Sequence, residues 1–320
     1  MSLPRKLLCH VEGRQTKKKT IKLIRWLQKK KLLKKRMKCL LCKRNMKLKS
    51  TRKNDYCLWN CKSSRHPGQT CNRTVRTGSI FENSRCSLFQ WLKFIYRFSQ
   101  GLRLRQIDLI SDGIAGSSRT LSRMAKKLRN VCIISMERLR ARNKVCVGGR
   151  REFVIIDESS FRHKRKYARG RFGRTWQRKK WVFGMMGVKK DRRRPVLKLV
   201  ERRSRHHLLP LIRQHVKQGS TIISDQWRTY RNALGNMGYI HCTVNHSQCF
   251  VDPQSGSHTQ HLERAWSTFK QHIWRQRGNR TEALLTEHLA VIEWSYWAGR
   301  KHPDGLLGQL FKDILHAYPL

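Results

Sequence analysis

The sequence predicts an α/β core, a mixed sheet flanked by helices, with a small β-rich metal-binding ribbon and a helical segment before it. Three observations carry this. After residue 152, short apolar runs alternate with segments of helical period. Between residues 39 and 81, cysteines punctuate short strand-like runs. Between residues 85 and 145, apolar residues recur at helical spacing and are interrupted by glycine.

The chain has 320 residues, enough for about two domains with a real core. Its 72 Lys and Arg against 19 Asp and Glu give a formal net charge of +53. A compact state with that charge repels itself unless a polyanion offsets it. The basic residues spread over the whole chain rather than along one amphipathic helix, so the expected partner is nucleic acid and not an anionic membrane surface. Ten Trp are too many for a disordered basic tail. No run of about 18 apolar residues occurs, so no transmembrane helix is expected. "MSLPRKLLCHVEGRQ" lacks the sustained apolar run of a secretory signal. Eleven unevenly spaced Cys fit reduced thiols with a metal-binding subset better than a disulfide framework. The expected location is the nucleus in a eukaryote, and otherwise the cytoplasm or nucleoid. The blocks "RQTKKKTIKLIR" and "KKKLLKKRMK" suit either nuclear import or a DNA-contacting arm.

Residues 1–38 form a basic arm. Within it "IKLIRWLQKKKLLKKRM" reads equally as an amphipathic helix that orders on DNA or as a solvated segment. Residues 39–81 read as a zinc ribbon. Cys39 and Cys42 have the spacing of a knuckle that presents two thiolates to one tetrahedral zinc. By spacing, the second pair is either Cys61 and Cys71 or Cys57 and Cys61. His66 ranks behind the cysteines because it lies in the polar loop "KSSRHPGQT". So short a segment lacks its own core and takes its stability from the metal.

Residues 85–145 read as a helical DNA-binding segment. "SLFQWLKFIYRFSQGL" is a helix ending near Gly101, and "LRQIDLISDGIAG" is a second, short one. "SSRTLSRMAKKLRNVCIISMERLRAR" opens with Ser117 or Ser118 as N-cap. A short helix, a glycine turn and a long basic helix make a helix-turn-helix pattern, with Arg119, Arg123 and Lys126 as the residues that reach DNA. An all-helical spacer is the alternative.

Residues 152–320 carry the chemistry. "EFVIIDESSF", "KKWVFGMMGV", "PVLKLVERRS", "STIISDQWRTY" and "YIHCTVNH" read as strands; "LLPLIRQHV", "HTQHLERAWSTFK", "TEALLTEHLAVIEWSYWAGR" and "GLLGQLFKDIL" read as helices. Asp157 and Asp225 each follow the apolar part of a strand, at the sheet's carboxyl end, where open α/β sheets place their sites. Two carboxylates brought together repel unless a proton or cation relieves them. Hard oxygen ligands select Mg2+ or Mn2+. A third carboxylate completes a two-metal site with ions about 3.5–4 Å apart, suited to in-line phosphoryl displacement. Glu263 is the candidate. It lies at the margin of the stripe Leu262, Ala265, Trp266, Phe269 and Ile273, and Lys270, two turns on, is placed to touch a phosphate. The simpler readings are that Asp225 caps a helix, that Glu263 is a surface charge, and that Trp227, Tyr230 and Trp266 belong to the core. His258, His246 and Asn245 are weaker candidates for lining the site.

The motifs "IDES", "SDQWRTY", "VNHSQCFVDPQSGSHTQHLERAW" and "HLAVIEWSYW" resemble the Merlin superfamily of DDE transposases and related bacterial insertion-sequence transposases. "CLLC…LWNC…C…RTVRTGSIF" looks like that group's amino-terminal zinc ribbon, so the resemblance spans roughly residues 39–315. It implies an RNase H-like core over 152–320 and a DDE triad on Asp157, Asp225 and Glu263. Thirty-seven residues lie between the last two, similar to the usual spacing of the group. It favours Cys39, Cys42, Cys61 and Cys71 as zinc ligands, although the nine residues between Cys61 and Cys71 are long for that ribbon. It also implies double-stranded DNA as partner, both terminal inverted repeats and target, and a homodimer or larger assembly on it. The expected function is strand cleavage at element ends and strand transfer. The alternative is a domesticated, transposase-derived DNA-binding protein without transposition activity.

Overall fold

The amphipathic stripes of the basic amino-terminal helices are wide enough to be buried, and the structure buries them. In the computed structural model, residues 2–52, 55–101, 109, 111–161, 180–190, 192–225, 230, 232–244, 260–276 and 281–320 are described. They fall into two units, Met1–Val131 with Lys301–Leu320, and Cys132–Arg300. Among the described residues no helix is long and apolar enough to cross a membrane.

In the first unit, α1 (Leu3–Val11) and α2 (Lys17–Lys29) bury Leu3, Leu7 and Val11, and Thr20, Leu23, Ile24 and Leu27. Both pack on α3 (Leu88–Ser99), and α1 also meets the closing helix α9 (Gly305–Ala317). The arm is therefore helical over these spans: each fully buried Leu contributes about 1.5–3 kcal/mol, which a solvated arm forgoes. Residues 301–320 group with this unit because α9 buries Leu307, Leu310, Phe311 and Ile314, and Phe311 meets Trp26 edge-on. Ser87 and Gln90 form a capping box at the start of α3.

A three-stranded antiparallel sheet follows α2: β1 (Lys47–Ser50), β2 (Cys57–Cys61) and β3 (Cys71–Thr74). The buried Arg76 guanidinium fastens the exit from β3. It grips Asp55 with two hydrogen bonds of 2.6 and 2.7 Å and donates to the carbonyls of Ser84 and Cys86. The long basic helix α4 (Ser118–Ala141) begins where Ser117 accepts the Thr120 N–H. Lys127 donates to the Ile80 and Glu82 carbonyls, both at 2.8 Å. Residues 104–108 and 110 of the short helix expected at "LRQIDLISDGIAG" lie outside the described residues.

The second unit is built on five strands, β4 (Phe153–Ser159), β5 (Trp181–Lys189), β6 (Arg192–Val200), β7 (Thr221–Asp225) and β8 (Ile240–Val244), in the order β6-β5-β4-β7-β8. Each coincides with one of the five apolar runs. β4, β5 and β6 form an antiparallel meander, while β7 and β8 add in parallel on the far side of β4. The helix α5 (Arg205–His215) lies between β6 and β7 in sequence, and the short α6 (Ala233–Asn236) lies between β7 and β8. This mixed sheet with helices is RNase H-like. One face is covered by α7 (Gln260–Arg275) and α8 (Glu282–Trp297): Ile155, Met186, Leu197 and Ile223 pack with Trp266, Phe269, Leu289 and Ile292.

Glu293 on α8 locks that helix to the edge of the sheet. Its side chain is buried, accepts the Leu197 N–H at 2.7 Å and pairs with Arg140. Removing it leaves the buried Leu197 N–H without this acceptor and the half-buried Arg140 guanidinium without this carboxylate. Glu293→Ala is expected to lower unfolding free energy by about 1–3 kcal/mol, measured by urea titration of the sheet's circular dichroism.

Candidate active site

The two strand-end acids are brought together by register. β4 and β7 pair in parallel, Val154 with Ile222 and Ile155 with Ile223. Continuing the same step sets Asp157 beside Asp225. Strand alternation puts both on the face shared with Ile155 and Ile223, the face that α7 covers. Glu158 takes the opposite direction and accepts a short hydrogen bond from the Tyr230 hydroxyl.

Helix α7 docks by the stripe read from its spacing: Leu262, Ala265, Trp266, Phe269 and Ile273 are buried. Glu263 and Lys270 are exposed on the same helix. The Trp266 indole N–H donates to Asp157 Oδ2 at 2.8 Å, and the Glu158 backbone N–H donates to Asp157 Oδ1 at 2.7 Å. Burial raises the Asp157 carboxyl above its ordinary value, and the charges of Asp225 and Glu263 add to the rise, while these two hydrogen bonds oppose it. Burial also pushes Glu158 up to about 7, with Asp157 and Asp225 contributing. Asp157 thus feels the charges of both Asp225 and Glu263, and Glu158 feels those of the two aspartates. Lys270 is close enough to feel the Asp157 charge, and its ammonium lies 5.5 Å from the centre of the Phe161 ring.

The donor set fits a hard divalent cation. It is all oxygen, it is anionic, and among the described residues the hydrogen-bond donors to Asp157 are neutral, the Trp266 indole and the Glu158 backbone N–H. Among the described residues, the one group whose candidate ligand atoms all gather within 4.8 Å is a different one, formed by Cys39, Cys42, Cys61 and His66; the three carboxylates do not converge to that distance.

Residues 141–289 match the family described as the ISXO2-like transposase domain. This part of the chain is a DDE transposase domain of that type. The match takes in β4 through α7, and so Asp157, Asp225 and Glu263, and stops short of the cysteine-bearing ribbon. Comparison with curated proteins found no match. Asn245, His246 and His258, weighed as lining residues, and Trp227, read as core, lie outside the described residues.

The ribbon preceding the transposase domain builds its own centre. Cys39 and Cys42 come from the knuckle before β1, and Cys61 ends β2. The fourth donor is His66 Nε2, which lies 3.5 Å from Cys61 Sγ and 3.8 Å from Cys39 Sγ; Cys42 and Cys61 are 3.6 Å apart. A tetrahedral zinc with bonds of about 2.3 Å to sulfur and about 2.0 Å to nitrogen requires edges of about 3.5–3.8 Å. A buried Cys3His set of these dimensions is consistent with structural zinc. His66 Nδ1 faces the Gln69 carbonyl oxygen at 2.8 Å. That oxygen only accepts, so Nδ1 carries the proton and Nε2 turns its lone pair to the sulfurs. The Cys42 backbone N–H, aimed at the Cys39 sulfur, brings that thiol down to about 6.

Cys71, expected as the fourth ligand, is half-buried and stands outside this group. Its strand pairs it with Cys61, but the loop between them folds back and delivers His66 into the last position. Four residues between Cys61 and His66, followed by a Pro-Gly turn, were the sequence signal for this ligand. Arg119, Arg123 and Lys126 are exposed along one face of α4 at helical spacing.

The ribbon makes a direct prediction. The purified chain is expected to hold about one zinc, to lose it on His66→Ala or Cys61→Ser, and to keep it on Cys71→Ser. Atomic emission on dialysed protein reads the metal, and a zinc-dependent melting transition should vanish with the first two variants only.

Proposed function

We propose that this chain is a cut-and-paste DNA transposase of the Merlin type, which cleaves at the terminal inverted repeats of an element and joins the freed ends to target DNA. The observation that carries this reading is the set of Asp157 and Asp225 in register at adjacent strand ends, with Glu263 on the helix docked over them, inside an ISXO2-like transposase domain.

Asp157 and Asp225 would hold Mg2+ or Mn2+ between them, and Glu263 would complete the site for a second ion. Bound there, the ions supply Lewis acidity at a phosphate and neutralise charge in an in-line displacement. The protein's own part is positional. The sheet sets the separation of the two aspartates, and α7 sets the place of Glu263. Lys270, on the same helix, offers a cation to the DNA phosphate beside the carboxylates. The same arrangement serves both steps, since cleavage and strand transfer are displacements at phosphorus that differ in the attacking oxygen.

Recognition of the ends is assigned to the zinc ribbon and the helical segment. The exposed face of α4 carrying Arg119, Arg123 and Lys126 suits the DNA backbone or major groove. A net charge of +53 makes binding depend steeply on salt. Work on two element ends at once favours a homodimer or larger assembly.

Asp225→Asn is expected to abolish cleavage of labelled element ends in Mg2+ or Mn2+ while end binding in a gel-shift assay persists; retained cleavage, with host nucleases excluded, overturns the assignment. A wild-type chain that binds ends but never cuts them would instead indicate the domesticated DNA-binding protein. The triple variant Arg119→Ala, Arg123→Ala, Lys126→Ala should weaken binding and flatten the plot of log affinity against log salt by about 0.9 per lost phosphate contact.

A further inference from the structure

Trp266 departs from what a core tryptophan needs. Its ring is buried and sits between Phe161 and Phe269, edge-on to each with centroids 5.7 and 5.9 Å away. A phenylalanine would supply such packing. The indole N–H, however, is directed at Asp157 Oδ2.

The sheet is shaped to admit this ring. Gly184 on β5 is the cross-strand partner of Asp157. A Cβ there would lie 2.5 Å from Trp266 Cη2 and 2.6 Å from Cζ2, well inside contact distance. Gly184 lies mid-strand with no left-handed φ, so its backbone does not call for glycine, and a strand interior is weakened by one. Room for the indole is the reason the geometry offers.

We propose that Trp266 is a positioning residue for the metal-binding carboxylate of Asp157, and that Gly184 opens the space from which it acts. The proposal rests on the transposase reading for the identity of the metal site, and on the contacts themselves for the role. With Oδ1 held by the Glu158 N–H and Oδ2 by the indole, the carboxylate has one orientation, and its remaining lone pairs have fixed directions before a cation arrives. Trp266 is also one helical turn after Glu263. The hydrogen bond that orients Asp157 therefore sets the rotation of α7, and with it the approach of Glu263. One side chain couples a carboxylate on the sheet to another on the helix. This goes beyond the reading of Trp266 as core.

The test separates the N–H from the ring. In the full chain, Trp266 is replaced by β-(3-benzothienyl)alanine, which keeps the bicyclic shape and has sulfur in place of the N–H. Trp266→Phe and Gly184→Ala are made alongside, with Asp157→Asn as the zero point. Manganese binding is followed by the electron paramagnetic resonance of free Mn2+, and cleavage of element ends is measured against Mg2+ concentration. The isostere is expected to bind Mn2+ about 10–100-fold more weakly and to need correspondingly more Mg2+ for half-maximal cleavage, with circular dichroism and zinc content unchanged. Gly184→Ala should reproduce the loss. Mn2+ affinity within twofold of wild type in the folded isostere overturns the proposal, even if Trp266→Phe fails to fold. Wild-type protein that binds Mn2+ through Asp157 but cuts no DNA overturns the transposase reading alone, and the Mn2+ comparison still decides the role of Trp266. Wild-type binding no tighter than that of Asp157→Asn overturns the positioning proposal.

Discussion

The parallel, in-register pairing of β4 with β7 brings two carboxylates to adjacent strand ends, and α7 docks across the same face of the sheet. Asp157 and Asp225 cannot move apart without breaking the ladder that Val154 and Ile155 make with Ile222 and Ile223. Such a pair is unfavourable until a cation or proton offsets it. Burial is the main cause of the upward push on both Asp157 and Glu158, and the Asp225 charge adds to it. Among the described residues, the hydrogen-bond donors that fix Asp157 and Glu158 are neutral, while the Lys270 and Arg203 charges also act on them.

This separates two kinds of acid in a chain that has few. Glu293, Glu152 and Asp55 are buried against Arg140, Arg194 and Arg76 respectively. Each satisfies a guanidinium, Glu293 and Glu152 also accept a backbone N–H, from Leu197 and Gly148, and each holds elements together. Asp157 meets an indole and a backbone amide, and Glu158 meets a phenol.

The zinc ribbon follows a different logic. Four donors converge to nearly tetrahedral edges, and the closing one is held by its own loop through the Gln69 carbonyl. The Cys39 and Cys42 pair was legible because two residues between cysteines is a local geometry. The choice between Cys57, His66 and Cys71 was not legible from spacing, since it depends on how the loop from residue 62 to 70 folds back over β2. Polarity in that loop argued against His66, yet a polar loop with a Pro-Gly turn is what lets a histidine return to the sheet.

Periodicity alone determined the five strands, the amphipathic stripe of α7 and the position of each strand-end acid, because these are local consequences of side-chain alternation and helical pitch. It also placed Asp157 and Glu158 on opposite faces. Only the tertiary structure decided which strands are neighbours, that α1 and α2 are packed rather than solvated, that His66 joins the cysteine cluster, and that Trp266 touches Asp157 across the space left by Gly184. These depend on residues far apart in sequence meeting at a given register, and register is set by the packing of whole elements rather than by any short run of residues.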